Sequence, residues 1–135
     1  MEKTSLPKVK SFRDLEVYQN SYRAMLVVAK ELLPKLPEHE KFDLKDQLSR
    51  STKAIPRLIA EGYAKKHQKL GFKKYLDDAM AETNESIVGI EQCRDLYGIS
   101  PELCDELVDV YDKIARQLHR LSEVWDDFSR KPKDE

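Results

Sequence analysis

Glycine and proline are scarce in this chain, four and six residues of 135, which leaves no room for long irregular loops or a glycine-rich phosphate cradle. No stretch approaches the roughly 18 apolar residues of a membrane span. The basic opening, Met1 to Lys10, is not followed by the apolar run of a secretory signal. The expectation is a cytoplasmic protein. There are two cysteines, Cys93 and Cys104, and no Cys-x-x-Cys, a pattern that fits free thiols in a reducing compartment better than a thiolate zinc site. Glu-x-x-His, the signature of a di-iron bundle, is absent, because Leu36, Ala64 and Arg116 stand three residues before His39, His67 and His119. No Gly-x-Ser-x-Gly occurs either. These absences point away from an enzyme, and no catalytic residue, metal or cofactor is expected.

What the chain has in quantity is charge. Charged residues make up 36%, and the net charge of −1 hides a division along the chain. Residues 1–75 hold 17 Lys and Arg against 9 Asp and Glu, whereas residues 76–135 hold 7 against 16.

The periodicity is helical throughout, with no alternating strand pattern. Ser11 followed by Asp14 resembles a capping box, and Leu15, Tyr18, Tyr22, Met25, Ala29 and Leu32 then recur at helical spacing up to Pro34. A second helix is expected from Glu38 or His39, burying Leu44, Leu48, Ser51, Ile55, Leu58, Ile59 and Gly62. A third runs from Leu70–Phe72 to Gly98 over Phe72, Leu76, Ala79, Thr83, Ile87, Ile90 and Cys93 or Arg94. Gly98, Ser100 and Pro101 then stop one helix and start the next. The fourth carries Leu107, Tyr111, Ile114, Leu118, Leu121, Trp125 and Phe128. Short connections imply antiparallel neighbours. The expected fold is an all-α, up-down-up-down four-helix bundle over residues 11–129, with a flexible segment at 1–10 and a frayed tail at 130–135.

The most informative stretch runs from Gln47 to Gly62, because it places Pro56 inside an amphipathic helix and ends in Ile59-Ala60-Glu61-Gly62. Proline removes a helical hydrogen bond and glycine is about 1 kcal/mol worse than alanine in a helix interior, so tertiary structure must impose both. A kink at Pro56 is expected, near Thr52, whose carbonyl loses its donor. Gly62 should let a neighbouring backbone approach closely.

Phe12-Arg13-Asp14-Leu15, then Leu36-Pro37 with Glu40, then Gln47, Arg50 and the run from Ala54 to Gly62 carry a resemblance. In order and spacing they resemble the bacterial four helix bundle proteins named for reading frames in intervening sequences of 23S ribosomal RNA genes. The match extends from Phe12 to about Tyr97. Where that family has an asparagine after the proline, a serine before Ile-Pro and Gly-Ser in the third helix, this chain has Leu58, Ala54 and Ala81-Glu82. If that asparagine has a binding role elsewhere in the family, this chain does not share it. The resemblance implies the bundle fold, a cyclic homo-oligomer, most often a pentamer, and structural roles for Pro56, Glu61 and Gly62. More distantly the chain is similar to accessory variability determinant proteins of diversity-generating retroelements. Those are basic pentameric barrels that engage nucleic acid, whereas this chain has a sequence pI near 6.3.

Two uses of the charge stay open. Arg50, Lys53 and Arg57 form a ridge at i, i+3 and i+7, and Lys65, Lys66, Lys69, Lys73 and Lys74 crowd the turn that follows. Such a surface can track the phosphate backbone of RNA or DNA. Asp46 four residues before Arg50 and Glu61 four after Arg57 can neutralise part of it. Only Tyr63 and Phe72 are interleaved for base stacking. Alternatively, an acidic stripe of Asp78, Glu82 and Glu85 mates with the ridge of a neighbouring copy, and the protein is a structural or protein-interaction scaffold. Val17, Val27, Val28, Val108 and Val110 lie off the main stripes and suggest a second apolar face for that assembly. His119 is expected to pair with Glu123 rather than to act as a base.

Overall fold

The computed structural model describes residues 9–129, with side chains through residue 125. The expectations for residues 1–8 and 130–135, and for the side chain of Phe128, lie outside the described residues. Four helices account for most of the described residues: α1 (Glu16–Val27), α2 (Leu44–Ala64), α3 (Gly71–Tyr97) and α4 (Pro101–Ser129). No strand occurs among the described residues. Each helix packs on its sequence neighbours, and α1 closes the bundle against α4.

The direction of the helices follows from which residues touch. Going along α2, Leu48 meets Gly89, Ser51 meets Ser86 and Gly62 meets Phe72 and Tyr75, so α3 runs the opposite way. Lys73 reaches Ser122 and Arg94 reaches Asp105, so α4 opposes α3. Asn20 bonds Gln117, and Lys35 bonds Ser100, so α1 opposes α4.

The α2/α3 seam is close because its residues are small. A Cβ on Gly89 would fall 2.9 Å from Leu48 Cδ1. The Ser51 and Ser86 hydroxyls, both buried, bond each other at 2.8 Å. Thr52 and Thr83 return their hydroxyls to carbonyls one turn back, Leu48 and Ala79, which satisfies them without a partner helix. α2 is not broken by Pro56, which is buried inside it.

The first helix departs from the expected stripe. The Ser11–Asp14 capping box forms, but it caps a single 3-10 turn, Phe12–Asp14; Leu15 is extended and α1 starts only at Glu16. Leu15 and Leu32 are buried as expected, but between them the buried face is Val17, Ser21, Ala24 and Val28, one position earlier than the expected Tyr18, Tyr22, Met25 and Ala29. Tyr18 is half-buried and Tyr22 is 44% exposed. Both stripes have helical spacing, and tyrosine, with its polar tip, is suited to the flank. Ser21 disguised the true one. The helix ends in a π-turn, Val28–Leu32, which brings both Leu32 and Leu33 inward. α2 also starts later than expected, after a 3-10 turn at Glu38–Glu40.

The same shift corrects the second apolar face. Val17 and Val28 are core residues, and Val27 and Val108 pack against that core from its edge. Of the five valines only Val110 is exposed. The exposed large apolar side chains are elsewhere, notably Phe42 at 86% and, on α3, Val88 at 51% and Leu96 at 64%.

Gly98 adopts the left-handed conformation, φ 64°, just past α3, and α4 begins at Pro101, as expected. Cys93 and Cys104 are free and buried; burial pushes the Cys93 thiol up to about 12, which leaves it inert. Tyr111 is fully buried with no hydrogen-bond partner for its hydroxyl among the described residues. An orphaned buried hydroxyl costs on the order of 1 to 3 kcal/mol. Tyr111→Phe should therefore raise the melting temperature, by a few degrees if about 1 kcal/mol is recovered, and a lower midpoint in thermal melts would contradict this.

Candidate nucleic-acid interface

The turn from α2 to α3 is tight because Gly71 has no side chain: a Cβ there would lie 2.3 Å from the Lys65 carbonyl oxygen. Backbone bonds from Gln68 N to Lys65 O and from Gly71 N to Gln68 O close it. Leu70 takes a left-handed conformation, φ 60°, a strained one for a non-glycine residue. Within this fold Lys65, Lys66 and Lys69 are held within five residues of chain, and Lys73 and Lys74 follow on the first turn of α3.

Tyrosines carry the lysines. Lys65 Nζ donates to Tyr75 Oη at 2.9 Å, and that bond holds its pKa above the usual lysine value. Lys66 Nζ sits 4.1 Å from the centroid of the Tyr63 ring, and Lys74 Nζ lies 5.8 Å from that of Tyr75. Both rings are half-buried. Tyr63 is braced edge-on by Phe72 and Trp125, whose own rings stand 4.9 Å apart. The surface is thus a set of ammonium groups over fixed aromatic faces.

The structure divides the eight expected residues. Lys65, Lys66, Lys69 and Lys74 share the turn region, and Lys53 and Arg57 are exposed on α2 leading to it. Lys73 instead turns to α4, donating to Ser122 Oγ at 3.1 Å. Arg50 is roughly 22 Å of helix away from Lys65, and acids surround it. It pairs with Asp46 at 3.6 Å and lies close enough to Glu82 to favour that carboxylate's charged form. No ion pair closes between Arg57 and Glu61 among the described residues; Glu61 is exposed near Lys65. Phe72 is 1% exposed, so it braces the site instead of stacking on a base. Tyr75 is the residue that the sequence reading overlooked, and its place one turn after Gly71 in a lysine-rich stretch was the available signal.

The acidic stripe lies on the neighbouring helix of the same chain. Burial, then repulsion from Glu85 and Asp78, raises the pKa of Glu82. His119 Nε2 stands 3.3 Å from Glu123, as expected. The described residues hold no group of three or more His, Cys, Asp or Glu side chains placed for a metal.

A further constellation sits at the other end of α3. Glu40 accepts from Leu44 N at 3.0 Å and from the Tyr97 hydroxyl, and His39 Nε2 is 3.1 Å from that hydroxyl. The carboxylate thereby fastens the start of α2 to the end of α3. The Tyr97 bond, then the Leu44 bond, hold the Glu40 pKa below its ordinary value near 4.5. A depressed folded-state pKa adds stability that is complete above the unfolded value and lost as pH falls through the folded one. Glu40→Gln should therefore lower the melting temperature more at pH 7 than at pH 3, and an equal shift at both would show the charge to be irrelevant.

The family model of the 23S rRNA-intervening sequence protein matches residues 13–120, from the capped turn before α1 into α4. The chain belongs to that family. The matched span contains the whole α2 ridge, the lysine turn and the acidic stripe. Two residues of the α2 run that carries the resemblance, Pro56 and Gly62, are buried, whereas Glu61 is exposed. A search of the curated proteins returned no match. No helix among the described residues is long and apolar enough to cross a membrane.

Proposed function

We propose that this chain is a non-enzymatic nucleic-acid-binding module that acts in the cytoplasm as a cyclic homo-oligomer, most simply a pentamer. The observation that carries the binding role is the lysine turn, where Lys65, Lys66 and Lys74 lie against Tyr63 and Tyr75 and exposed Lys69 stands in the same turn. Phosphates satisfy such ammonium groups, and the aromatic faces beneath give unstacked bases a surface. Arg57, nearer to the turn than Lys53, extends the track along α2. The sequence has no glycine-rich phosphate loop and no Gly-x-Ser-x-Gly, which supports binding without chemistry.

The test is titration of labelled single-stranded and duplex RNA into the full chain at rising salt, with mass measured alongside. Steeply salt-dependent binding is expected. No binding at about 50 mM salt retires the nucleic-acid role. A second reading, in which the protein is a scaffold without nucleic acid, is favoured by Arg50, whose charge is already engaged by Asp46 and Glu82. It forecasts an oligomer that ignores RNA.

A further inference from the structure

A groove of about 880 Å³ runs between residues 9–17 and α4. Leu15, Leu121 and Val124 line its apolar floor, and Lys113, Arg116 and Arg120 line its α4 wall. All three cations are exposed, and none has an ion pair among the described residues. Asp14 and Glu16 also line the groove, but the Asp14 carboxylate is already taken by the backbone N–H groups of Lys10 and Ser11, so the α4 wall stays a second basic surface, separate from the lysine turn and unused by the proposed nucleic-acid site.

The acidic stripe of α3 has the matching spacing. Asp78, Glu82 and Glu85 fall at i, i+4 and i+7; Lys113, Arg116 and Arg120 fall at i, i+3 and i+7. Read from its C-terminal end, the basic set also becomes i, i+4, i+7. Both sets span roughly 10 Å of helix. Two antiparallel helices thus bring Asp78 to Arg120, Glu82 to Arg116 and Glu85 to Lys113 in one register. Ala81 and Val88 flank the stripe and are exposed, so they supply apolar contact for the groove floor. Within its own chain the stripe is left acidic, since Arg50 is the one cation that favours the charge of Glu82.

We infer that the outer face of α3 seats antiparallel in the α1/α4 groove of a second copy of this chain, through these three charge pairs. The inference rests on the self-association proposed above. The two surfaces are different patches of one subunit, so the contact is head-to-tail and closes into a ring when the rotation allows. Charge also argues against the segment before Val9 as the occupant, because residues 1–8 bring Lys3 and Lys8 against Glu2 alone.

Charge reversal tests it, using light scattering of the full chain at micromolar concentration with helicity checked by circular dichroism. Wild type is expected at several times 15.8 kDa. Lys113→Glu with Arg120→Glu, or Asp78→Lys with Glu85→Lys, should each reduce the mass to that of one chain, and all four together should restore the assembly. These positions are exposed, so the fold is expected to survive. An oligomer indifferent to both reversals, or one that the fourfold variant does not restore, overturns this pairing and leaves self-association standing. A monomeric wild type overturns both and leaves the groove to another protein or to the chain's own first residues.

Discussion

Replacing Gly62 by leucine is expected to lower the melting temperature by on the order of 10 °C, with alanine giving a smaller loss in the same direction. A Cβ at this position would lie 2.6 Å from Tyr75 Cβ and 3.0 Å from Phe72 Cδ1, and Tyr75 Cβ is bonded directly to backbone. Neither neighbour can yield locally. Phe72 is buried and braced by Trp125 and Tyr63. Overpacking of this kind costs about 1 to 3 kcal/mol, and each kcal/mol moves the midpoint of a domain this size by roughly 3 to 6 °C. The strain also reaches the candidate site, because Tyr75 holds Lys65. The leucine variant should therefore weaken RNA binding at temperatures where it remains folded. Thermal melts with an unchanged midpoint would show that α3 can move away from α2 at no cost.

The elements that were legible in the sequence are those whose buried residues are large and whose ends are punctuated. α4 was readable because Leu107, Tyr111, Ile114 and Leu118 are all apolar and all buried. The α3/α4 junction was readable because Gly98 and Pro101 each restrict the backbone in a known way. The first stripe was right at its ends, Leu15 and Leu32, and misread by one position between them because the buried face there includes Ser21 and Ala24, which carry little hydrophobic signal, while Tyr18 and Tyr22 on its flank carry much. The α2/α3 seam was half-read: Ser51 and Gly62 were recognised as small, but Ser86 and Gly89 make the matching contacts from α3.

The site was legible in composition and opaque in geometry. A run of lysines shows where positive charge lies along the chain, not which side chains converge. Lys73 turns to Ser122 and Arg50 to acidic neighbours because helix rotation and the packing of α3 on α4 decide their directions. Those depend on contacts distant in sequence. The basic wall of Lys113, Arg116 and Arg120 escaped notice for the same reason, since it borders a groove only once α1 lies against α4.

The largest effect expected in solution is on nucleic-acid affinity. If Arg57, Lys65, Lys66, Lys69 and Lys74 each neutralise one phosphate, the log–log slope of affinity against salt is about −3.5 for single strands and −4.5 for duplex. Between 50 and 200 mM salt that is a loss on the order of 100- to 500-fold. The triple variant Lys65→Ala, Lys66→Ala, Lys69→Ala leaves two contacts, so its slope should shrink to between about −1.4 and −1.8 while the assembled mass stays that of wild type. Lys73→Ala should change the slope little, because that ammonium is held by Ser122. Arg50→Ala should change it little as well, because Arg50 stands roughly 22 Å of helix from Lys65 and shares its surface with Asp46 and Glu82. The contrast between the turn lysines and these two cations separates a bound phosphate track from a general attraction of RNA to positive charge. A slope that fell equally for every cation removed would show the lysine turn to be no site at all.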